Sequence, residues 1–146
     1  MTRLGTGFST FVLLSTTLLI SGKAISSPNS LRCQFPVGHV VEFTDGGAQF
    51  SKSDKLPDLV FDGIDRSRGT ARLLGNAGAE TVQVIEGDYV INFVEVTPVG
   101  NLSITTVYKQ NVGSTDNSLQ AVHSRHITVS GKGKPSQYTG VCTILQ

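Results

Sequence analysis

The stretch that decides the fold is residues 81–110, TVQVIEGDYVINFVEVTPVGNLSITTVYKQ. It holds three runs rich in β-branched and aromatic residues, TVQVI, YVINFVEV and LSITTVYKQ, separated by the short segments EGD and TPVGN. Val, Ile, Thr, Tyr and Phe favour strands, and short turns between such runs are typical of antiparallel hairpins. The stretch therefore predicts three consecutive antiparallel strands.

The same alternation of strand-forming runs and turns continues on both sides of this stretch. The further runs are RCQFPVGHVVEFT (32–44), LVFDGID (59–65), TARLLG (70–75), LQAVHSRHITV (119–129) and QYTGVCTIL (137–145). Residues 44–58 are interpreted as a long polar loop with one short candidate strand around Phe50. Eight strands with short connections predict an all-β fold, an eight-stranded antiparallel up-and-down β-barrel, with a β-sandwich as the alternative.

The two cysteines favour the closed form of this sheet. Cys33 lies in the first predicted strand and Cys142 in the last. An open sheet exposes the edges of both strands, whereas closure into a barrel places them side by side. An even pair of cysteines in an exported chain indicates one disulfide, Cys33–Cys142. A sandwich with both termini at one edge also brings these cysteines together.

The N-terminus has the features of a signal peptide. Arg3 precedes an uncharged run, FSTFVLLSTTLLI (8–20), and the small residues Gly22 and Ala24 follow it. A membrane-spanning helix needs roughly 20 apolar residues, so this run is too short to span and fits a signal sequence. We expect cleavage after Ala24, one all-β domain over residues 25–146, and export to the periplasm or the extracellular space. An uncleaved N-terminal anchor is the alternative.

The charge balance excludes several classes of partner. The chain has 12 Lys and Arg and 11 Asp and Glu, and without Arg3 and Lys23 the expected mature domain keeps ten basic and eleven acidic residues. This domain has no basic surface for nucleic acid, and no charge that would hold it on an anionic membrane after signal cleavage. The partners that remain are a small molecule or an envelope protein, and the sequence leaves the oligomeric state open.

The period of two in a strand sorts the side chains of residues 119–129. The more apolar set, which we expect to face inward, is Leu119, Ala121, His123, Arg125, Ile127 and Val129. His123 and His126 are separated by an odd number of residues, so they face opposite sides and cannot share one metal ion in a regular strand. The sequence therefore predicts no metal site, and no motif for a cofactor is present.

Three other strands contribute to the predicted interior. Residues 102–108 are predicted to turn Leu102, Ile104, Thr106 and Tyr108 inward and Ser103, Thr105 and Val107 outward. Residues 89–96 are predicted to turn Tyr89, Ile91, Phe93 and Glu95 inward, and the last strand Tyr138, Gly140, Cys142 and Ile144.

These faces predict a polar group inside the barrel, formed by Glu95, Tyr108, His123 and Arg125. A buried charge is costly unless it is paired, and an ion pair between Arg125 and Glu95 would meet that need. One interpretation is a structural ionic lock. The other is a set of contacts for a polar or carboxylate-bearing ligand, since eight-stranded barrels hold either packed side chains or one small ligand.

Several segments resemble a family of small exported bacterial proteins without assigned activity. These segments are FDGID (61–65), GTARLLGN (69–76), INFVEVTPVGN (91–101), TTVYKQN (105–111) and AVHSRHITVSGKGKPSQYTGVC (121–142). The resemblance covers most of the expected mature chain and implies no catalytic residues. In architecture alone the chain is similar to lipocalin-like carriers, although it has no Trp for their Gly-x-Trp signature. It is also similar to periplasmic C-type lysozyme inhibitors, although their Ser-Gly loop is not found.

The sequence therefore predicts an exported protein of non-enzymatic type that binds a small ligand in its barrel through Arg125, His123, Tyr108 and Glu95. The alternative is an envelope protein-binding module or inhibitor that acts through the segments 44–58, 110–118 and 130–136. An enzyme is the third hypothesis. No nucleophile-elbow motif supports it, and no catalytic residue is assigned. The triplet Asn101-Leu102-Ser103 is an N-glycosylation sequon, which is relevant only in a eukaryotic secretory pathway.

Overall fold

The structure is a computed structural model in which residues 29–75, 78–110 and 118–145 are described. The predicted signal peptide and part of the segment 110–118 lie outside these residues. The strands are β1 (Ser30–Thr44), β2 (Gly47–Ser53), β3 (Leu59–Asp65), β4 (Thr70–Gly75), β5 (Gly78–Glu86), β6 (Val90–Val96), β7 (Leu102–Tyr108), β8 (Ser118–His126), β9 (Thr128–Val129), β10 (Lys132–Gly133) and β11 (Ser136–Leu145). No helix in the described part of the chain has the length and apolarity needed to cross a membrane.

Eight of these strands form a closed antiparallel barrel. From β3 to β8 each strand pairs with the next in the chain, β8 pairs with β11, and β1 joins β11 to β3. The strands β9 and β10 form a separate two-residue hairpin in the connection between β8 and β11. The predicted eight-stranded up-and-down barrel is confirmed, because the pairing of β1 with β11 removes the free edges that a sandwich would keep.

The barrel is closed covalently at the seam between its first and last strands. Cys33 of β1 lies directly opposite Cys142 of β11, and the two form a disulfide buried in the core. The predicted bridge is thus present, and it is consistent with an oxidising compartment. It links residues 109 positions apart, so it restricts the unfolded chain strongly.

The strand β1 changes its partner halfway along one edge. Its first part, Leu31–Cys33, pairs with β3, and its second part, Gly38–Thr44, pairs with β2. A bulge between Gln34 and Val37 separates the two parts and contains Pro36, which cannot donate to a ladder. Since β11 occupies the other edge of β1, β2 and β3 follow each other along the same edge.

The interpretation of residues 44–58 as a long loop was wrong for most of their length, and the short strand predicted around Phe50 is longer than expected. Residues 47–53 form β2 and pair along their full length with β1, with Val41 opposite Phe50. The sequence GAQFSKS has little strand propensity of its own, so its structure follows from pairing with the long strand β1. Only residues 54–58 remain an irregular connection.

The core fills one end of the barrel and its middle. Phe61 and Phe93 stack with ring centroids 3.9 Å apart. The other buried apolar side chains of this core cluster come from every barrel strand: Leu31, Cys33, Phe35, Ile64, Ala71, Val82, Val84, Ile91, Val107, Leu119, Ala121, Tyr138 and Cys142. The inward faces predicted for β8 and β11, and Ile91 and Phe93 of β6, are confirmed, whereas Tyr89 and Val129 are exposed.

The faces predicted for β7 were reversed. Thr105 and Val107 are 2% and 0% exposed and lie opposite His123 and Ala121, whereas Tyr108 is 42% exposed on the outer face. The prediction placed Leu102, Ile104, Thr106 and Tyr108 inside. Thr105 can occupy the inner position because its hydroxyl has a hydrogen-bond partner there, which offsets the cost of its desolvation.

Ion pairs are found at the end of the barrel filled by the core. Glu86 at the end of β5 forms ion pairs with Lys109, whose Nζ is 2.6 Å from Oε1, and with Arg66, whose Nε is 2.7 Å from Oε2. Burial alone would raise the pKa of Glu86, but Lys109 and Arg66 hold it below its ordinary value. These ion pairs lie at the barrel end at which β5 and β7 finish, and we call it the closed end.

Candidate functional site at the open end of the barrel

The opposite end of the barrel is open and contains a cavity of about 430 Å³, which we call the cup. Its apolar wall consists of Leu56, Pro57, Leu59, Leu73 and Ile127. Its polar and small lining residues are Asp58, Gly75, Gly78, Glu80, Glu95, Thr97, Asn101, Ser103, His123 and Arg125. The floor is the buried core, so the cup is a half-enclosed space lined by both apolar and polar groups.

The cup exists because of the change of partner in β1. Beyond Cys33 the barrel wall next to β1 is β2 instead of β3, and residues 54–58 run between them. The backbone amide of Leu56 donates to the carbonyl oxygen of Phe35 at 3.1 Å, and the Leu56 side chain packs on the core. This connection replaces a strand in the wall, and it forms one rim of the cup.

Arg125 is the principal charged group that faces the cup. In β8 it lies opposite Ser103 of β7 and Ser136 of β11, and its side chain is half-buried. Across residues 29–75, 78–110 and 118–145 its guanidinium forms no ion pair and no hydrogen bond. A half-buried guanidinium without a carboxylate or phosphate partner has five donors available to a ligand.

Glu95 shares a row and a face with Arg125 but does not contact it. Glu95 lies opposite Ser103, and Ser103 lies opposite Arg125, so two strand spacings separate the two charged residues. That separation is roughly 10 Å between Cα atoms. The ion pair predicted between them is therefore not formed, because each side chain lines the cup independently. The interpretation of these residues as an ionic lock was wrong.

His123 lies at the floor of the cup. It is 5% exposed, and its Nδ1 is 2.8 Å from Thr105 Oγ1. Its ring centroid is 5.5 Å from that of Phe35 and 6.4 Å from that of Tyr138. Burial, and in smaller part the charge of Arg125, lowers the pKa of His123 to about 4. The imidazole is consequently neutral at pH 7.

Three of the four predicted site residues therefore line the cup, and the fourth does not. Glu95, His123 and Arg125 come together there. Tyr108 lies at the far end of β7, next to Lys109 at the closed end, with its ring on the outer surface. The prediction that Tyr108 points into the barrel was wrong, because the inner and outer faces of β7 are the reverse of those predicted.

Sequence reasoning missed the residues that shape the cup. Leu56 and Leu73 form its apolar wall, and Asn101 fixes its rim by accepting the backbone amide of Thr128 at 3.0 Å. Asn101 directly follows Gly100, a turn residue with a positive φ of 82°. Asparagine side chains beside turns often form hydrogen bonds with the backbone, so this pair of residues was a signal for such a role. The same asparagine belongs to the sequon, and its side-chain oxygen is already engaged.

A second, more polar cavity of about 300 Å³ lies on the other side of Arg125. It is lined by Val40, Glu42, Ser51, Lys52, Ser53, Asp54, Arg125, Ile127, Lys134, Ser136 and Tyr138. Lys134 Nζ is 2.6 Å from Glu42 Oε1, and the hydroxyls of Ser53 and Tyr138 are 3.0 Å apart. These groups satisfy one another, in contrast to the unpaired guanidinium of Arg125.

No group of three or more His, Cys, Asp or Glu side chains in the described part of the chain is arranged to hold a metal ion. His123 is buried and His126 is exposed, as the period of β8 predicted.

Neither a protein-family model nor a curated protein sequence matches the chain. The resemblances to an exported bacterial family, to lipocalin-like carriers and to lysozyme inhibitors accordingly stay predictions. The site is characterised by its geometry alone: an unpaired arginine in a cavity at the mouth of a small barrel, lined by apolar side chains and by three carboxylates, of which Asp58 is paired with Arg32.

Proposed function

We propose that the protein is a non-enzymatic binding protein that holds a small molecule in the cup, with Arg125 as the anchor for an anionic group of that molecule. The single observation that carries the proposal is that the half-buried guanidinium of Arg125 has no ion-pair or hydrogen-bond partner among residues 29–75, 78–110 and 118–145. Leaving such a group without a counterion costs free energy that a bound carboxylate or sulfonate would recover.

The dimensions and the walls of the cup fit such a ligand. Pockets for small molecules have volumes of about 300–1,000 Å³ and are mostly apolar with a few polar groups. The cup has a volume of about 430 Å³, and Leu56, Leu59 and Leu73 offer an apolar surface to the body of a ligand. The ligand class is therefore a small amphipathic anion.

The carboxylates of the cup narrow this class. Glu80 and Glu95 line the same cavity and form no ion pair within the described residues. They repel a molecule with several negative charges, and they accept hydrogen bonds from hydroxyl or amino groups. The proposed ligand has one anionic group near Arg125 and donor groups on the side of Glu80 and Glu95.

The geometry of His123 supports binding over catalysis. Its Nδ1 is engaged by Thr105, and no carboxylate in the described part of the chain is hydrogen-bonded to the imidazole. A histidine that acts as a general base usually has a pKa near the working pH. The pKa of about 4 makes His123 a weak base at pH 7, and its partner Thr105 carries no charge that would stabilise an imidazolium.

The test uses a fluorescent amphipathic anion, 8-anilinonaphthalene-1-sulfonate, with the folded, oxidised protein. We expect the wild-type cup to bind it, and Arg125→Gln to weaken binding at least tenfold. The matched control is Arg72→Gln, which removes the same charge from the exposed arginine that pairs with Asp62 on the outer surface. Equal affinity in all three proteins would show that Arg125 is not the anchor.

Export is part of the proposal. The predicted signal peptide and the disulfide together support a periplasmic or extracellular location. The alternative function, an envelope protein-binding module, relied on the segments 44–58, 110–118 and 130–136. The first of these segments contains the strand β2, and the third contains the turn between β9 and β10. This alternative function stays a prediction.

A further inference from the structure

The strand β2 is paired along one edge only, with β1. The sheet order ends at β2, and the strand at the opposite end, β11, is paired with β1. The seven residues Gly47–Ser53 contain no proline, and six of them are exposed. A free, regular edge presents unpaired backbone donors and acceptors that can add another strand.

The outer face of this edge carries two exposed phenylalanines. Phe50 is 77% exposed and Phe43 is 58% exposed, and both lie on the face that also carries Val41, since Val41 is opposite Phe50. Phe43 borders Gly133 of the β9–β10 hairpin, next to the exposed Val129. Contiguous exposed apolar groups of this kind often mark protein–protein interaction sites.

We propose that two copies of this chain associate through antiparallel pairing of their β2 strands, with Phe50 on the two-fold axis. Phe50 is the midpoint of Gly47–Ser53, so this register is the one that pairs all seven residues of both strands. A two-fold axis is the usual symmetry of a dimer of identical chains. It also places the Phe50 rings on the same face of the combined sheet, because directly opposed residues share a face.

The charges of the strand agree with this register. Lys52 is the sole charged residue of β2, and it would lie opposite Ala48 of the second copy. The two lysines therefore do not oppose each other directly. A parallel arrangement would place them side by side, and like charges in adjacent positions are destabilising.

The area available indicates a weak dimer. Phe43 lies one strand away from the new pairing, so the contact consists mainly of the paired strands and the two Phe50 side chains, which bury roughly 150–250 Å² each. This area is below the roughly 1,000 Å² of a stable specific interface. We expect a concentration-dependent equilibrium between monomer and dimer. The interface does not include Arg125 or the apolar wall of the cup, so it is independent of the proposed function.

The first test is sedimentation velocity of the oxidised protein over a hundredfold range of concentration. We expect the average mass to rise toward twice that of the monomer, and Phe50→Asp to abolish the rise. Tyr89→Asp is the matched control, since Tyr89 is an exposed aromatic residue outside β2, at 65% exposure. A monomeric mass at every concentration would overturn the proposal. The candidate partner for the edge of β2 would then be a strand of another protein.

The second test checks the register. The chain has two cysteines, and both are in the buried disulfide, so an added cysteine is its one free thiol. In the proposed dimer the Cα atoms of the two residues 50 are roughly 4.5–5.5 Å apart, within disulfide range. The two residues 53 are six positions out of register, about 20 Å apart. Phe50→Cys should form a covalent dimer under mild oxidation, and equal cross-linking of Ser53→Cys would contradict the register.

Discussion

Thr105 and His123 face each other across β7 and β8, and the Oγ1 and Nδ1 atoms of their side chains are 2.8 Å apart inside the barrel. They are two of the three buried polar residues of the described chain, and each supplies the other with a hydrogen-bond partner. The pair lies between the packed core and the cup. It therefore contributes both to stability and to the floor of the proposed binding site.

The low pKa of His123 makes folding dependent on pH. In the unfolded chain its pKa is 6.5, and in the folded chain it is about 4 because of burial and the charge of Arg125. As the pH falls from 6.5 to 4 the unfolded chain binds the proton first, so the free energy of unfolding decreases by about 3 kcal/mol in total. Urea unfolding at pH 7.5 and at pH 4 measures this change.

The control for this prediction is His123→Gln, which removes the titrating group and keeps a polar side chain. Its free energy of unfolding should depend much less on pH between 6.5 and 4, whatever its absolute value. Carboxylates with lowered pKa, such as that of Asp62, contribute chiefly at the acid end of this range. A pH dependence equal to that of the wild type would show that His123 is not its source.

Replacing Thr105 by Val should destabilise the barrel without changing its shape. The substitution preserves the volume of the side chain but leaves Nδ1 of His123 without its partner in a buried position. We expect a loss of about 1–3 kcal/mol in the free energy of unfolding. Thr143→Val, on the exposed face of β11, is the matched control and should change it by less than about 0.5 kcal/mol. Equal effects of the two substitutions would contradict the importance of the pair.

Gly140 allows the close approach of β11 to the bulge in β1. A Cβ atom at this position would overlap the carbonyl oxygen of Gln34 and the Cα of Phe35, both of them backbone atoms. We expect Gly140→Ala to lower the free energy of unfolding by at least about 1–3 kcal/mol, because neither strand has room to shift. Gly75→Ala adds a Cβ that meets nothing within 4 Å and should be nearly neutral. Thermal unfolding of the two variants distinguishes these outcomes.

The disulfide should contribute more to stability than to architecture. The double substitution Cys33→Ala, Cys142→Ala leaves the backbone pairing of β1 with β11 available but releases a loop of about a hundred residues in the unfolded chain. We expect a loss of about 4 kcal/mol with an unchanged far-ultraviolet circular dichroism spectrum at low temperature. Loss of the β spectrum under those conditions would show that the bridge is needed for the barrel to form.

The sequence predicts the architecture well where strand periodicity and turns act locally. The runs TVQVI and YVINFVEV, with the position of the two cysteines, were enough to predict an antiparallel sheet closed by β1 and β11. The faces of β8 followed from its apolar period. The faces of β7 did not, because Thr105 is buried through a partner on a neighbouring strand, which one strand alone does not reveal.

The cup was predicted only in part for a similar reason. Arg125, His123 and Glu95 share inner faces, which the alternation shows. Leu56 and Leu73 join them because β1 exchanges β3 for β2, and that exchange depends on pairing between distant segments. The polar appearance of residues 44–58 concealed β2, whose strand structure is imposed by β1.

Native mass spectrometry of the exported, oxidised protein tests the central claim most directly, namely that the cup holds a small anionic molecule on Arg125. The wild-type protein should carry a small-molecule adduct that dissociates on collisional activation, and Arg125→Gln, prepared in the same way, should lose most of it. Wild-type protein without an adduct, or an adduct retained equally by Arg125→Gln, would contradict the account.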